Sequence, residues 1–315
     1  MTTRERLLAV LVAVLWGLNF LAIHLSLEQF PPFFLVALRF ALIALPTILL
    51  VPRPDVPLRW LIGYGLGFGT LQFLFLYWAL ATGMPVGLAS LVLQASAPFT
   101  VVLGATVLRE RLDRGQVAGI VLAVAGLTVI GAQQLGTAAI GPFLLTLLGA
   151  LGWALGNLSS RLARPSKPLH LTLWMSVVPV APMLATSLWV EGPDRIAQSF
   201  TGLGTSTGLW ALAGLGYTIL LGTVVGSGIW TWLLSRHPAA RVAPFSMLVP
   251  VVGLLTAWVA LGETLSAAEI TGAGIVVLGV LLGSGALSAR RRSARAGRRD
   301  ERSPEPERPA PVATG

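Results

Sequence analysis

The chain has 315 residues, of which 55% are hydrophobic and 11% charged, and its mean hydropathy is +0.79. A soluble domain carries about 25% charged residues, so a sizeable aqueous domain is excluded, and the absence of cysteine removes disulfide frameworks, thiol nucleophiles and cysteine metal sites. The net charge of +9 does not point to nucleic acid, because the cations sit in short loops and a terminal tail.

Ten apolar stretches between Leu7 and Leu287 are each long enough to cross a bilayer, since a hydrocarbon core of about 30 Å needs about 20 apolar residues as helix. Lipid cannot satisfy backbone polar groups, so the spans must be helical. The first, 7–25, follows Arg4-Glu5-Arg6, a flank like that of a signal peptide. No small-x-small cleavage site follows, so it reads as an uncleaved span. It carries Trp16 and Asn19 on one face. Span 33–51 follows Pro31-Pro32 and holds Arg39, the one Lys or Arg that lies deep within a span and not within two residues of its end. Span 60–82 contains the glycine run Gly63 to Gly69, Gln72 and Trp78. No strand precedes that run, so it is a packing feature and not a nucleotide loop. Span 85–108 carries Gln94 and Pro98 and exits through Arg109-Glu110-Arg111-Leu112; span 115–133 follows. Span 141–162 carries Trp153 and Asn157, 170–190 carries Pro179 and Pro182, and 209–234 carries Trp230. Spans 240–261, with Pro250, and 268–287 complete the set. The tail 288–315 is rich in Arg, Pro and Glu and is expected to be disordered, with its first part against anionic lipid.

Lysine and arginine favour cytoplasmic loops. With the N-terminus inside, every one of the 22 except Arg39 and Arg195 falls on the cytoplasmic side. Both termini are therefore expected in the cytoplasm.

The chain also resembles itself. Arg109-Glu110-Arg111-Leu112 aligns with Gly262-Glu263-Thr264-Leu265, and the same displacement of 153 residues pairs Gly119 with Gly272 and Gly126 with Gly279. Pro98 has Pro250 one position off that register, and Trp16/Asn19 have counterparts in Trp153/Asn157. Residues 1–134 and 141–287 thus read as two five-span copies. Five is odd, so the second copy enters the membrane inverted, the arrangement of many secondary transporters, whose sites lie near the midplane between repeats.

Arg39 is the sharpest candidate site residue. A charge at such depth must face a cavity or a partner, and its fork suits a carboxylate. The alternative is a structural pair with Glu263 or with the carbonyls of a broken helix. Asn19, Asn157, Gln72 and Gln94 could line a polar path or bond across helices. Trp16, Trp153 and Trp78 are candidate walls, with Trp174 and Trp230 beside them. Pro98 and Pro250 remove backbone hydrogen bonds and are candidate kinks. Glu110 and Glu263, at span ends, are read as structural charges. His24, His170 and His237 lie near span ends without metal-ligand spacing, so no metal or cofactor is expected, and nothing marks an enzyme.

Trp16-Gly17-x-Asn19-Phe20, Leu38-Arg39-Phe40 and the Glu110-Arg111-Leu112 exit resemble the drug/metabolite transporter superfamily, EamA family, over about residues 1–287. The stretches 83–94 and 241–253 are closer still to bacterial amino-acid metabolite exporters of that family. The resemblance implies an all-α, ten-span 5+5 bundle in the bacterial inner membrane that exports small amphoteric metabolites such as cysteine and O-acetylserine. Its partners are then the substrate and the bilayer, with no nucleic acid, and the assembly is a monomer or homodimer. Efflux of hydrophobic cationic drugs is a second reading, though such exporters use a membrane-embedded carboxylate. A scaffold or lipid-modifying enzyme is a third. The charge distribution makes one prediction. Reporter fusions after Gln134 and Glu191 should read as periplasmic, and those after Arg53, Arg164 and Arg236 as cytoplasmic; a periplasmic C-terminus would refute the topology.

Overall fold

The computed structural model describes residues 1–109, 112, 114–134, 140–237, 242, 245–246 and 248–283. Among these residues there are helices and no strand. In chain order the helices are α1 (Thr3–Leu27), α2 (Pro32–Leu50), α3 (Leu58–Ala81), α4 (Val86–Val107), α5 (Arg114–Gln134), α6 (Ile140–Ala163), α7 (Pro168–Val190), α8 (Ser206–Leu233, helical on to Arg236), α9 (Leu248–Leu261) and α10 (Ala267–Gly283), with a short helix Gly192–Gln198 between α7 and α8. Seven are long and apolar enough to cross a membrane; Arg114–Ile130, Leu248–Leu261 and Ala267–Gly279 are shorter apolar helices. The surface carries the lipid-compatible side chains that a bundle in bilayer needs, such as Leu45, Leu49, Trp189, Trp210 and Val259, all largely exposed.

The two halves of the chain interleave. α1 packs against α8 and α9, α6 against α3 and α4, α2 against α7, α4 against α9, and α5 against α10. Hydrophobic force is weak between helices in lipid, so close backbone approach matters. At the α3–α6 crossing, a Cβ on Gly67 would lie 2.5 Å from the Gly156 nitrogen. At the α5–α10 crossing, a Cβ on Gly279 would lie 2.5 Å from the Ala123 nitrogen. Only glycine permits these separations.

Two helices are wound loosely at matching places. α3 contains a π-helical stretch at Gly65–Leu71 and α8 one at Thr218–Val225. In each, a threonine hydroxyl donates to the carbonyl five residues earlier: Thr70 to Gly65 (3.4 Å) and Thr223 to Thr218 (2.9 Å). The displacement is again 153 residues, and it carries Tyr64 onto Tyr217. Arg109, just past α4, and Gly262, just past α9, are both left-handed at φ +55° and +67°, which matches the same register.

Carboxylates from one half cap helices of the other. α2 and α4 begin after Pro31 and Pro85, neither of which offers a capping side chain. Glu191, at the end of α7, accepts from the N–H groups of Phe33 (2.7 Å) and Phe34 (2.9 Å) and from the Ser187 hydroxyl (2.6 Å). Glu263, just past α9, accepts from Val86 (2.7 Å) and Gly87 (2.9 Å). Each anion satisfies two free donors and meets the positive end of the helix dipole.

In α4, a 3₁₀ turn at Leu93–Ala95 directly precedes the segment holding Pro98, as expected where the Pro98 ring removes a bond to the Gln94 carbonyl. Pro250 is buried in α9, three residues into its described part; residues 243, 244 and 247 ahead of it lie outside the described residues. α7 is interrupted by a 3₁₀ turn at Met175–Val177, ahead of Pro179. Glu110 lies outside the described residues, as does the tail.

Removing either carboxylate cap, buried at Glu191 and half-buried at Glu263, should destabilise the bundle. Glu191→Ala and Glu263→Ala are each expected to lower the melting temperature of the solubilised protein, by the equivalent of about 1–3 kcal/mol per orphaned donor. Gln at either position keeps an acceptor and should lose less.

Candidate functional site

Arg39 lies two turns into α2 and is only 5% exposed. Nη1 donates to the Tyr77 hydroxyl on α3 (3.3 Å) and Nη2 to the Thr223 hydroxyl on α8 (3.0 Å). The guanidinium carbon stands 4.2 Å from the Phe73 ring centre and 5.3 Å from that of Phe40. These rings meet edge to face at 5.5 Å, so the cation rests on two aromatic faces, a favourable arrangement in a desolvated place. Among the described residues no carboxylate is paired with it, and its Nε has no partner. The sequence alternative, a pair with Glu263, does not form. Both Glu263 oxygens are taken by the start of α4, because two orphan N–H groups there are a nearer claim on the anion.

The Arg39 contact leads into the π-helical stretch of α8. Thr223 accepts from Arg39 while donating to the Thr218 carbonyl. The neighbouring Gly222 carbonyl accepts from Trp16 Nε1 (2.9 Å). A Cβ on Gly222 would lie 2.8 Å from Asn19 Oδ1, and that oxygen has no hydrogen-bond partner. The Thr218 hydroxyl is likewise without one. So α1, α2, α3 and α8 bring Trp16, Asn19, Arg39 and Tyr77 around one loosened turn. α-Helical winding spends each carbonyl on the residue four ahead; π winding shifts that pairing, and such turns recur at functional sites.

The other sequence candidates are distributed differently. Gln72, one position before Phe73, is buried with Oε1 unpartnered. Asn157 on α6 donates to the Thr100 hydroxyl on α4 (3.2 Å) and ties those helices together. Trp153 stacks edge-on against Phe68 at 6.0 Å, and Phe68 against Phe73 at 5.8 Å, so it reaches Arg39 only through two rings. Gln94 is buried in the 3₁₀ turn of α4. Trp78 does not join the site. It is 42% exposed and meets Phe33 edge-on at 5.9 Å. Trp174 caps the end of α2, donating to the Val51 carbonyl (2.9 Å).

The model of one family, the EamA-like transporter family, matches residues 4–132 and again 140–285. The chain belongs to the EamA-like transporter family. It is 45% identical to a probable amino-acid metabolite efflux pump of Salmonella typhimurium, covering 90% of this chain and 95% of that one. It is 42% identical to the protein of the same name in Escherichia coli K12, with the same coverage. A solved crystal structure with 22% sequence identity aligns with 93% of this chain and 99% of its own at a TM-score of 0.59, which shows a shared fold.

Two residues of this cluster escape a reading by hydropathy, Tyr77 and Thr223. Neither is charged, and a tyrosine or threonine within a span draws no notice. The signal that finds Thr223 is the repeat: Tyr64 and Thr70 recur as Tyr217 and Thr223 at the 153-residue displacement. Glu191 was also passed over, because its position after Val190 reads as loop although it is only 7% exposed.

The geometry predicts which substitutions couple. Arg39→Ala and Thr223→Val should be non-additive in thermal stability, with a coupling of about 1.5–3 kcal/mol for a hydrogen bond to a charged group. Arg39→Ala and Glu263→Gln should add. The reverse pattern would restore the Arg39–Glu263 pair.

Proposed function

We propose that this EamA-type chain exports small amino-acid metabolites across the cytoplasmic membrane, with Arg39 receiving the substrate carboxylate. The observation that carries the reading is a buried guanidinium that, among the described residues, pairs with no carboxylate and has a free Nε, at a place where helices of both halves meet. A charge inside a membrane bundle costs at least about 2.5–3.5 kcal/mol on insertion scales. Two hydrogen bonds and two aromatic faces hold Arg39, yet of its five N–H donors they leave Nε–H and one on each terminal nitrogen for an incoming anion. The relatives' printed name supports the cargo class. The cationic-drug reading is weaker here, since the buried Glu191 is committed to backbone donors.

The chain works by alternating access between two inverted five-span copies, 1–134 and 141–287, with both termini cytoplasmic. The matched π-helical stretches, the matched left-handed residues past α4 and α9 and the interleaved packing all support this organisation. Asn19 and Gln72 line the path, with Asn157 and Gln94 on the companion helices. Exchange of shape between the copies opens the path first to one side and then to the other.

Counterflow of radiolabelled O-acetyl-L-serine into proteoliposomes tests the reading. Wild-type protein should exceed empty liposomes. Arg39→Ala should fold yet lose about tenfold or more, and Arg39→Lys should recover part of the loss, keeping charge without the fork. Wild-type flux in well-folded Arg39→Ala would remove Arg39 from the mechanism. Transport of tetraphenylphosphonium instead of the amino acid would establish the drug reading.

A further inference from the structure

α1 and α8 run antiparallel along a common seam. At the end that the charge distribution assigns to the outside, Ser26 donates to the Ala211 carbonyl (3.1 Å). Midway, Tyr217 donates to Leu15 (3.1 Å) and Trp16 to Gly222 (2.9 Å). At the cytoplasmic end Glu5 meets His237 at 3.0 Å. Beside that last contact the seam opens into a cavity of about 560 Å³, lined among others by Arg4, Glu5, Leu8, Ile229, Trp232 and Arg236. Going inward from it, Leu8 to Trp16 is about 12 Å of helix. There Trp16 and Trp230 face each other at 5.3 Å, and beyond them come Gly222, Asn19, Thr223 and Arg39. The cavity thus lies at the cytoplasmic end of the seam, and the packed Ala9 and Leu233 with the tryptophan pair stand between it and the buried guanidinium.

Its charges have a pattern. Arg236 is held over the Trp232 ring at 4.4 Å, and Arg4 lines the same space. Glu5 lies in the first turn of α1, ahead of the apolar span. The Thr2 backbone N–H, and then His237, pull its carboxyl down to about 2, so it is an anion at any physiological pH. Glu5 Oε2 accepts from the Thr2 N–H (2.6 Å) and Oε1 meets His237 (3.0 Å), and each carboxylate oxygen keeps a second lone pair towards the open cavity. With two guanidinium groups around the same small space, the set matches a molecule that carries a carboxylate and an ammonium together. The apolar floor of Leu8 and Ile229 suits a short side chain. We propose that this cavity is the loading site for a small zwitterion, which enters between Arg4, Arg236 and Glu5 before passing the Trp16–Trp230 pair toward Arg39. The proposal rests on the export reading for its direction, but not for the binding itself.

The test is equilibrium binding of O-acetyl-L-serine to the full-length Arg39→Ala chain in nanodiscs of phosphatidylcholine alone. With the deep guanidinium gone, the remaining binding reports the cavity. Adding Arg4→Gln and Arg236→Gln should weaken it about tenfold or more, while Lys at both positions should hold it within about threefold. Adding Glu5→Gln keeps an acceptor for the helix cap. It should weaken O-acetyl-L-serine about fivefold or more and leave 3-acetoxypropanoate, which lacks the ammonium, unchanged. Three results would overturn the site: no binding by the Arg39→Ala chain, binding indifferent to the arginines and Glu5, or an effect of the arginines seen only with phosphatidylglycerol in the disc. The last would assign them to anionic lipid. The export reading fails separately, by a lack of wild-type flux in proteoliposomes while cavity binding persists.

Discussion

Inside a bilayer every backbone donor and acceptor must find a partner within the protein, and this constraint shapes the whole bundle. It makes the spans helical. It also explains the ends, where proline starts α2 and α4 without a capping side chain and Glu191 and Glu263 arrive from other helices to accept the free N–H groups. The caps do more than satisfy donors. α2 is anchored to α7 and α4 to α9, so helices of the first half are fixed to helices of the second.

The same constraint operates within the helices. A π-helical turn leaves the ordinary pairing out of register, and in both α3 and α8 a threonine hydroxyl returns to the carbonyl five residues back. Thr223 has a second bond to Arg39. An anion that draws the guanidinium toward itself therefore also draws on the turn that α8 depends on, and α1 rests on that turn through Trp16 and Asn19. On the proposed reading, occupancy of Arg39 and the shape of α8 are linked through the Thr223 hydroxyl.

Packing supplies the rest. Where glycine backbones meet, at Gly67 with Gly156 and Gly279 with Ala123, no side chain holds the helices apart. Helices from opposite halves can then lie close along α3–α6 and α5–α10, leaving the polar cluster around Arg39 to α1, α2, α3 and α8. The arrangement concentrates polar groups at one seam while the outside stays apolar, which is what a path for a charged solute through lipid requires.

Much of this was legible in the sequence. Length and hydropathy required a membrane bundle, and the isolation of one arginine within a span marked Arg39 before any contact was known. The 153-residue displacement, read first from Arg109–Leu112 and Gly262–Leu265, later linked Thr70 with Thr223. The partners of Arg39 were not legible, and the expected candidate, Glu263, was taken by α4. Trp78, a candidate cavity wall, is 42% exposed and packs on Phe33 away from Arg39, because hydropathy does not report which way a side chain on an apolar helix turns. The sequence alone determined the solvent this chain lives in and where its rare charges fall, since both follow from composition along one dimension. Only the tertiary structure decided which helices meet, and so whether each buried charge finds an anion, a backbone donor or an aromatic face, because those contacts join residues as far apart as Arg39 and Thr223.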